Sequence, residues 1–135
     1  MDTARDIMTT DLITVTPEAP VYDAMCLLID HRITGLPVVG GGGEMLGVVT
    51  EKDLLEAVYN GAMGPRGRVV DIMTTNLVCF EEDADIIDIC ESMIEGHFRR
   101  VPIVRGNRIV GIVSRRDVIR HTLEAYKLNM ALPPA

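Results

Sequence analysis

Two short stretches of the chain carry the same groups that can bind a ligand. Gly47 to Asp53 and Gly111 to Asp117 both read glycine, two apolar residues, threonine or serine, two further residues, and aspartate. A hydroxyl at a helix N-cap with a carboxylate three residues later forms a capping box, which stabilises a helix by about 1 kcal/mol without any ligand. The same hydroxyl and the free N–H groups of a helix start suit an anion, and the carboxylate suits a ribose diol. The sequence leaves both interpretations open, and they are compatible.

The glycine of each motif needs a separate explanation. A capping box places no demand on the residue three positions before its hydroxyl, which is Gly47 in one motif and Gly111 in the other. Glycine inside a strand often marks a place where a second surface approaches the backbone closely. We therefore expect another part of the chain or a ligand to contact each strand at its glycine.

The two motifs belong to a sequence repeat. Residues 6–12 (DIMTTDL) and 71–77 (DIMTTNL) differ at a single position, at a shift of 65 residues. The motifs themselves follow at a shift of 64, after one residue is lost from a turn. A period of this length that occurs twice predicts a duplicated subdomain and not a solenoid. We place the repeats at 1–64 and 65–135, in one compact module with a C-terminal helical extension.

Both repeats predict the same elements. Apolar residues recur at helical spacing from Val21 to Ile29 and from Ile86 to Ile94, and β-rich runs flank each helix. Continuous apolar runs predict strands that are buried on both faces, so we expect an α/β sandwich of two β-α-β-β-α repeats related by a pseudo-two-fold axis. The predicted strands are Leu12–Val15, Leu36–Val39, Met45–Thr50, Leu77–Phe80, Val101–Val104 and Ile109–Ser114, and the second helices run from Glu51 to about Val58 and from Arg115 to about Leu128.

Composition excludes several classes of protein. The chain has 135 residues, 47% of them hydrophobic, and a net charge of −7, which disfavours nucleic acid and anionic membranes as partners. It has no apolar run of roughly 18 residues and no signal-peptide pattern at its start, so we expect a cytoplasmic protein. Three cysteines without a C-x-x-C pair predict neither a disulfide framework nor a metal site, and no catalytic motif is present. We therefore expect neither an enzyme nor a catalytic cofactor.

The repeated unit resembles a pair of cystathionine-β-synthase (CBS) domains, called a Bateman module. The resemblance runs from Ala4 to about Glu124 and rests on three features of each copy: an opening Asp-Ile-Met-Thr, a proline in the second strand, and the closing glycine-to-aspartate motif. It implies a regulatory sensor that binds AMP, ADP or ATP in clefts between the repeats, with S-adenosylmethionine ranked behind these. It also implies a homodimer that signals to an unidentified partner protein.

The resemblance further implies roles for individual residues. It assigns the ribose hydroxyls to Asp53 and Asp117, with Thr50 and Ser114 beside them. The residues before the second strand approach the phosphates, which means Thr34 and Gly35 in one copy and Arg99 and Arg100 in the other. The resemblance also implies which residues line each cleft: Met8, Ile13, Ile33 and Thr34 in the cleft of Asp117, and Met73, Val78, Phe98 and Arg99 in the cleft of Asp53.

The two implied clefts differ in charge. Residues 66–135 carry ten of the thirteen lysines and arginines. Arg99 or Arg100 would serve the Asp117 cleft, with Arg115 and Arg116 at the adjoining helix start, and arginine suits phosphate oxygens. We expect phosphorylated ligands to fill that cleft first, chiefly through Arg100.

Two other functions fit the sequence. The module could be a constitutive dimerisation adaptor whose capping boxes are purely structural and whose clefts stay empty. It could also be a thiol switch through Cys79 and Cys90, although apolar surroundings usually raise the pKa of a thiol and lower its reactivity.

Overall fold

The structure is a computed structural model that describes residues 2–61 and 66–131. The predicted repeat boundary between residues 64 and 65 lies outside the described residues. The elements are α1 (Ala4–Ile7), α2 (Val21–His31), β1 (Gly35–Val39), β2 (Met45–Thr50), α3 (Glu51–Asn60), α4 (Val69–Ile72), β3 (Phe80–Glu81), α5 (Ile86–Gly96), β4 (Arg100–Arg105), β5 (Arg108–Ser114) and α6 (Arg115–Ala131). Helices and strands are mixed along the chain, and the order helix, strand, strand, helix occurs in both repeats (α2-β1-β2-α3 and α5-β4-β5-α6), so the predicted fold class is confirmed.

The strands form two small sheets. β1 and β2 pair antiparallel, with Leu36 opposite Val49. In the second sheet the order is β3-β4-β5, and β3 runs parallel to β4 with Phe80 opposite Ile103.

The first strand of each repeat is shorter than predicted. The strand predicted over Leu12–Val15 is wrong, because only Val15 pairs, in parallel with Val38. Its N–H donates to Pro37 O at 3.0 Å, and Val39 N–H donates to Val15 O at 2.9 Å. Pro17 has no N–H, so the ladder cannot continue past Val15 with a hydrogen bond from that residue. The counterpart in the second repeat is the two-residue strand β3.

Two one-turn helices, α1 and α4, open the repeats. Four residues are too few to show an amphipathic period, so the sequence did not predict them. Both have an aspartate at the third helical position that accepts from the N-cap residue. Thr3 N–H donates to Asp6 Oδ2 at 2.8 Å, and Arg68 N–H donates to Asp71 Oδ2 at 3.2 Å.

The chain divides into two compact units that do not coincide with the repeats. Unit 1 comprises Met1–Leu12, Cys79–Gly106 and Val110–Ala135, and unit 2 comprises Ile13–Val78 and Asn107–Ile109. We call residues 2–12 leading segment 1 and residues 66–78 leading segment 2. Each leading segment therefore lies in the unit formed by the body of the other repeat.

Burial explains why each leading segment stays in its unit. Ala4 of α1 is fully buried in the core of unit 1, with Ile89, Ile103 and Val113. Val69 of α4 is fully buried in the core of unit 2, with a set that includes Val38 and Val49. Removing these apolar side chains from water stabilises the contact by roughly 25 cal/mol per Å².

An ionic cluster adds a second attachment in unit 1. Glu82 accepts from Arg5 Nη2 at 2.9 Å and from Arg105 Nε and Nη2, each at 3.0 Å. The main chains of the two residues are also joined, because Arg5 N–H donates to Glu82 O at 2.9 Å. The Glu82 side chain is only 13% exposed. Hydrogen bonds from Arg105 and then from Arg5 lower the pKa of Glu82 to about 2.

We predict that Glu82→Gln lowers the free energy of unfolding at pH 7. A carboxylate whose pKa is lowered on folding stabilises the native state above its unfolded pKa near 4.5, and this contribution is lost as the pH falls towards about 2. The difference between wild type and variant should therefore shrink across that pH window. Urea unfolding at several pH values measures it, with Glu95→Gln on the exposed part of α5 as the control. Equal stability of wild type and Glu82→Gln at pH 7 would contradict the prediction.

Candidate functional site

The motif in unit 1 is a capping box at the start of α6. Ser114 donates to Asp117 Oδ2 twice, from its N–H at 2.8 Å and from its hydroxyl at 2.9 Å. In return, Asp117 N–H donates to Ser114 Oγ at 3.1 Å. The predicted cap is confirmed, and it engages only one of the two carboxylate oxygens.

The motif in unit 2 repeats this geometry at the start of α3. The N–H and hydroxyl of Thr50 donate to Asp53 Oδ2 at 2.8 and 3.0 Å, and Asp53 N–H donates to Thr50 Oγ1 at 3.3 Å. Both motifs therefore satisfy N–H groups that a helix start leaves without internal partners. The ligand interpretation of the same residues stays a prediction.

Each leading segment lies against the strand that precedes the capping box. Thr9 and Ile112 exchange backbone hydrogen bonds of 2.8 and 2.9 Å, and Thr74 and Val48 do the same at 2.8 and 2.9 Å. This pairing places a methionine of the leading segment on the glycine of the motif. A Cβ on Gly111 would lie 2.5 Å from Met8 Sδ, and one on Gly47 would lie 2.9 Å from Thr74 O and 3.0 Å from Met73 Sδ. The expected close approach at both glycines is confirmed.

A threonine of each leading segment also faces the aspartate. The Thr74 hydroxyl donates to Asp53 Oδ1 at 2.9 Å. In unit 1, the Thr9 hydroxyl lies 3.5 Å and Arg120 Nη1 lies 3.4 Å from Asp117 Oδ1. These three residues are not among those that the sequence predicted for the site. The repeated Asp-Ile-Met-Thr string was the available signal for the two threonines.

The two aspartates differ in burial. Asp117 is 8% exposed and is the one charged residue in the buried core of the described chain. Asp53 is half-buried. Most buried polar atoms in proteins have a hydrogen-bond partner at normal distance. Asp117 Oδ1 has only contacts at the outer limit of hydrogen bonding, so a further donor would stabilise it.

Arginines surround the start of α6. Arg115 N–H donates to Arg99 O at 3.0 Å, and Arg115 Nε donates to Phe98 O at 2.9 Å, so the helix start is joined to the residues before β4. Arg100 opens β4, and its Nε is buried with no hydrogen-bond partner among the described residues. Arg116 is exposed. In unit 2 the matching link is Glu51 N–H to Thr34 O at 3.0 Å.

The structure groups the predicted site residues by unit. Ile13, Ile33 and Thr34 do not lie in the unit of Asp117, and Phe98 and Arg99 do not lie in the unit of Asp53, although the resemblance paired them. Which of these side chains contact a ligand stays a prediction. With Asp117 and Ser114, unit 1 contains Met8, Phe98, Arg99, Arg100 and Arg116; with Asp53 and Thr50, unit 2 contains Ile13, Ile33, Thr34, Met73 and Val78.

Within residues 2–61 and 66–131, no three histidine, cysteine, aspartate or glutamate side chains are grouped so that they could hold a metal ion. None of the helices in those ranges has the length and the apolar character needed to cross a bilayer.

The sequence matches the family model of the CBS domain twice, at residues 4–60 and 69–124. The CBS domain-containing protein YhcV of Bacillus subtilis is 33% identical over 134 residues, which cover 98% of this chain and 94% of YhcV. The inosine-5'-monophosphate dehydrogenase of Methanocaldococcus jannaschii is 32% identical over 118 residues. That match covers 87% of this chain but only 23% of the dehydrogenase.

Solved structures give the same result. CBSX2 from Arabidopsis thaliana, in complex with AMP, superposes with a TM-score of 0.85 at 30% identity, covering 93% of this chain and 99% of CBSX2. The CBS domain pair of protein MJ0100, in complex with 5'-methylthioadenosine and S-adenosyl-L-methionine, has a TM-score of 0.80 at 27% identity. This match covers 93% of this chain and 98% of the MJ0100 pair.

We predict that Gly111→Ala destabilises the protein by about 1–3 kcal/mol, as overpacked cores typically are. The new Cβ would lie 2.5 Å from Met8 Sδ and 2.8 Å from Met8 Cγ. Adding Met8→Ala removes both atoms, so a double-mutant cycle by urea unfolding should show a favourable coupling between the two changes. Gly41→Ala is the control, because its Cβ would meet nothing within 4 Å. Strictly additive effects of Gly111→Ala and Met8→Ala would contradict the packing model.

Proposed function

Because the chain belongs to the CBS-domain family, we propose that it is a regulatory module that binds AMP, ADP or ATP and signals occupancy to a partner protein. The observation that carries the proposal is the state of Asp117. Its carboxylate is buried, Oδ2 is engaged by the cap, and Oδ1 has only the contacts at 3.4 and 3.5 Å. An ionised carboxylate only accepts hydrogen bonds, so the matching ligand group is one with hydroxyl or N–H donors.

A ribose diol fits that requirement. It presents two adjacent hydroxyls, and hydrogen bonds to a charged acceptor contribute about 1.5–3 kcal/mol. AMP, 5'-methylthioadenosine and S-adenosylmethionine all contain adenosine, and these are the ligands of the two CBS-pair structures described above. This shared chemistry supports an adenosine-containing ligand for the present chain.

Arg100 favours a phosphorylated ligand over S-adenosylmethionine. Its Nε is buried without a partner in the described chain and lies in the same unit as Asp117. A phosphate oxygen would satisfy this donor through a charge-assisted hydrogen bond. The sulfonium of S-adenosylmethionine, which lies beside the ribose, carries a positive charge and gives no such bond. We therefore rank AMP, ADP and ATP ahead of S-adenosylmethionine.

A ligand at either site would contact or stabilise residues of both repeats. Asp117 and Gly111 belong to the second repeat, but Thr9 and Met8, which contact them, belong to the first, and the exchange is reversed in unit 2. A ligand at 100 times its Kd stabilises the state that binds it by about 2.7 kcal/mol. Such a ligand would hold the leading segment in place, and this is the change that we propose a partner protein detects in the cytoplasm.

We predict that Asp117→Asn weakens AMP binding about 10- to 150-fold, which corresponds to the loss of one hydrogen bond to a charged group. The fold should survive, because the asparagine oxygen can accept from Ser114 while the amide replaces the acceptor at Oδ1. Titration calorimetry measures the affinity and urea unfolding measures the stability. Unchanged AMP binding together with lower stability would assign Asp117 a purely structural role.

Arg100→Ala provides the matched comparison for the phosphate. It should weaken AMP binding and lower its salt dependence while leaving uncharged adenosine nearly unaffected. Lys127→Ala, farther along α6, is the control for the loss of a positive charge. Equal losses for AMP and adenosine would exclude Arg100 as the phosphate ligand.

A dimerisation adaptor is the second candidate function, and one observation favours it. Hydrogen bonds within the chain close both capping boxes, so the motifs have a structural role of their own. A thermal-shift panel of AMP, ADP, ATP and S-adenosylmethionine separates the two functions, because bound ligand would raise the melting temperature by several degrees.

A thiol switch is disfavoured, since burial raises the pKa of the Cys79 thiol.

We also propose that the protein is a homodimer. Tyr22 and Ile29 of α2 are exposed seven residues apart on one helix face, and Ile87 and Ile94 of α5 are exposed in the same way. Apolar faces that repeat in both halves of a chain suit a self-complementary interface that closes under two-fold symmetry. Further exposed apolar residues lie on α3 and α6, namely Leu55, Val58, Tyr59, Ile119, Leu123, Tyr126 and Leu128.

We predict that the double substitution Ile29→Glu and Ile94→Glu converts the dimer to a monomer, because charges would be buried unpaired in the interface. The molecular mass measured by light scattering should fall from about twice the chain mass to the 14.8 kDa of one chain. Leucine at both positions keeps the apolar surface and should keep the dimer. A wild-type mass of one chain at micromolar concentration would refute the proposal.

A further inference from the structure

The two capping boxes differ at one oxygen atom. In both, Oδ2 of the aspartate accepts two hydrogen bonds from the cap residue at 2.8–3.0 Å. Oδ1 of Asp53 also accepts a normal hydrogen bond from the Thr74 hydroxyl, at 2.9 Å. Oδ1 of Asp117 has Thr9 only at 3.5 Å and Arg120 only at 3.4 Å. Thr74 therefore hydrogen-bonds to Oδ1 of Asp53 at normal distance, whereas Thr9 makes only a long contact with Oδ1 of Asp117.

The backbone fixes the position of Thr74. Its N–H and C=O both bond to Val48, and the preceding Met73 lies against Gly47. The hydroxyl can therefore leave Asp53 only by rotation about the Cα–Cβ bond, between staggered rotamers. Thr74 is exposed, so water can hydrate a hydroxyl that has rotated away.

The neighbouring charges differ between the units as well. At the 64-residue shift, the counterpart of Arg120 is Glu56, whose carboxylate lies 3.8 Å from Lys52 Nζ on the same helix. Among the described residues, no arginine hydrogen-bonds or pairs with Asp53. Thr74 is therefore the donor that satisfies Oδ1 in unit 2.

We propose that Thr74 is a specificity-determining residue that competes with a ribose diol for Asp53. Each carboxylate oxygen has about two acceptor positions, and the cap uses both of those on Oδ2. Asp117 Oδ1 can accept both hydroxyls of a diol, whereas Asp53 Oδ1 can accept both only after Thr74 rotates away. The Asp117 site then fills at low ligand concentration and the Asp53 site at higher concentration. This inference rests on the proposed function.

The test is made in a chain that carries Asp117→Asn, in which the competing Asp117 site binds about 10- to 150-fold more weakly. Adding Thr74→Val removes the competing hydroxyl at nearly constant shape, so adenosine should bind about 2- to 10-fold tighter by titration calorimetry. The affinity for 2',3'-dideoxyadenosine, which lacks the diol, should not change. Thr75→Val is the control, because the neighbouring threonine has an exposed side chain and no hydrogen bond to Asp53. Thr74→Ala also lacks the hydroxyl and should give the same gain, and urea unfolding checks that each variant folds.

The outcomes separate this inference from the proposed function. Weaker or unchanged adenosine binding in Thr74→Val would overturn the competition and would mean that Thr74 positions the carboxylate or has no role. An equal gain for dideoxyadenosine, or no detectable binding at the Asp53 site after the hydroxyl is removed, would also overturn it. The proposed function is tested by a different result, the loss of the tight AMP event when Asp117→Asn is compared with wild type.

Discussion

Two pairs of backbone hydrogen bonds, between Thr9 and Ile112 and between Thr74 and Val48, join each leading segment to the body of the other repeat. The packing of methionine on glycine, the burial of Ala4 or Val69, and the approach of a threonine to an aspartate all occur along the same segments. A backbone bridge fixes both the distance and the direction of the segment, which a side-chain contact alone would not. Each candidate site is therefore assembled from both repeats within one compact unit.

The two oxygens of the carboxylate at each site have different contacts, which allows the binding role that we propose beside the observed capping role. Oδ2 closes a capping box and is needed for the helix start in any state of the protein. Oδ1 faces a threonine of the leading segment, and it is the atom that we propose a ligand contacts. This division explains why a capping role and a binding role are compatible at one residue. It also means that asparagine can replace aspartate in the cap, but its amide nitrogen cannot accept hydrogen bonds from a diol.

Charge makes the two units unequal in spite of their common origin. Leading segment 1 is attached through the cluster of Glu82, Arg5 and Arg105, whereas the residues that correspond to Glu82 and Arg5 in unit 2 are Pro17 and Val70. The start of α6 likewise has arginines where α3 has Glu51 and Lys52. A single duplicated fold thus carries arginines in one unit where the other has none at the matching positions, and we propose that this difference makes the Asp117 site the one that prefers a phosphorylated ligand.

The sequence by itself determined the duplication, the mixed α/β class, most helix and strand positions and both capping boxes. These depend on periodicity or on residues three positions apart, so they can be recognised locally. Only the tertiary structure decided which body each leading segment joins, that Leu12–Val15 pairs at one residue, and that Thr9 and Thr74 differ in their distance to an aspartate. The leading segments share the string Asp-Ile-Met-Thr-Thr, so the residues that contact the glycine and the aspartate do not by themselves distinguish the two possible partners. Contacts across about a hundred residues, such as Thr9 to Asp117, are set by how the cores pack and not by local propensity.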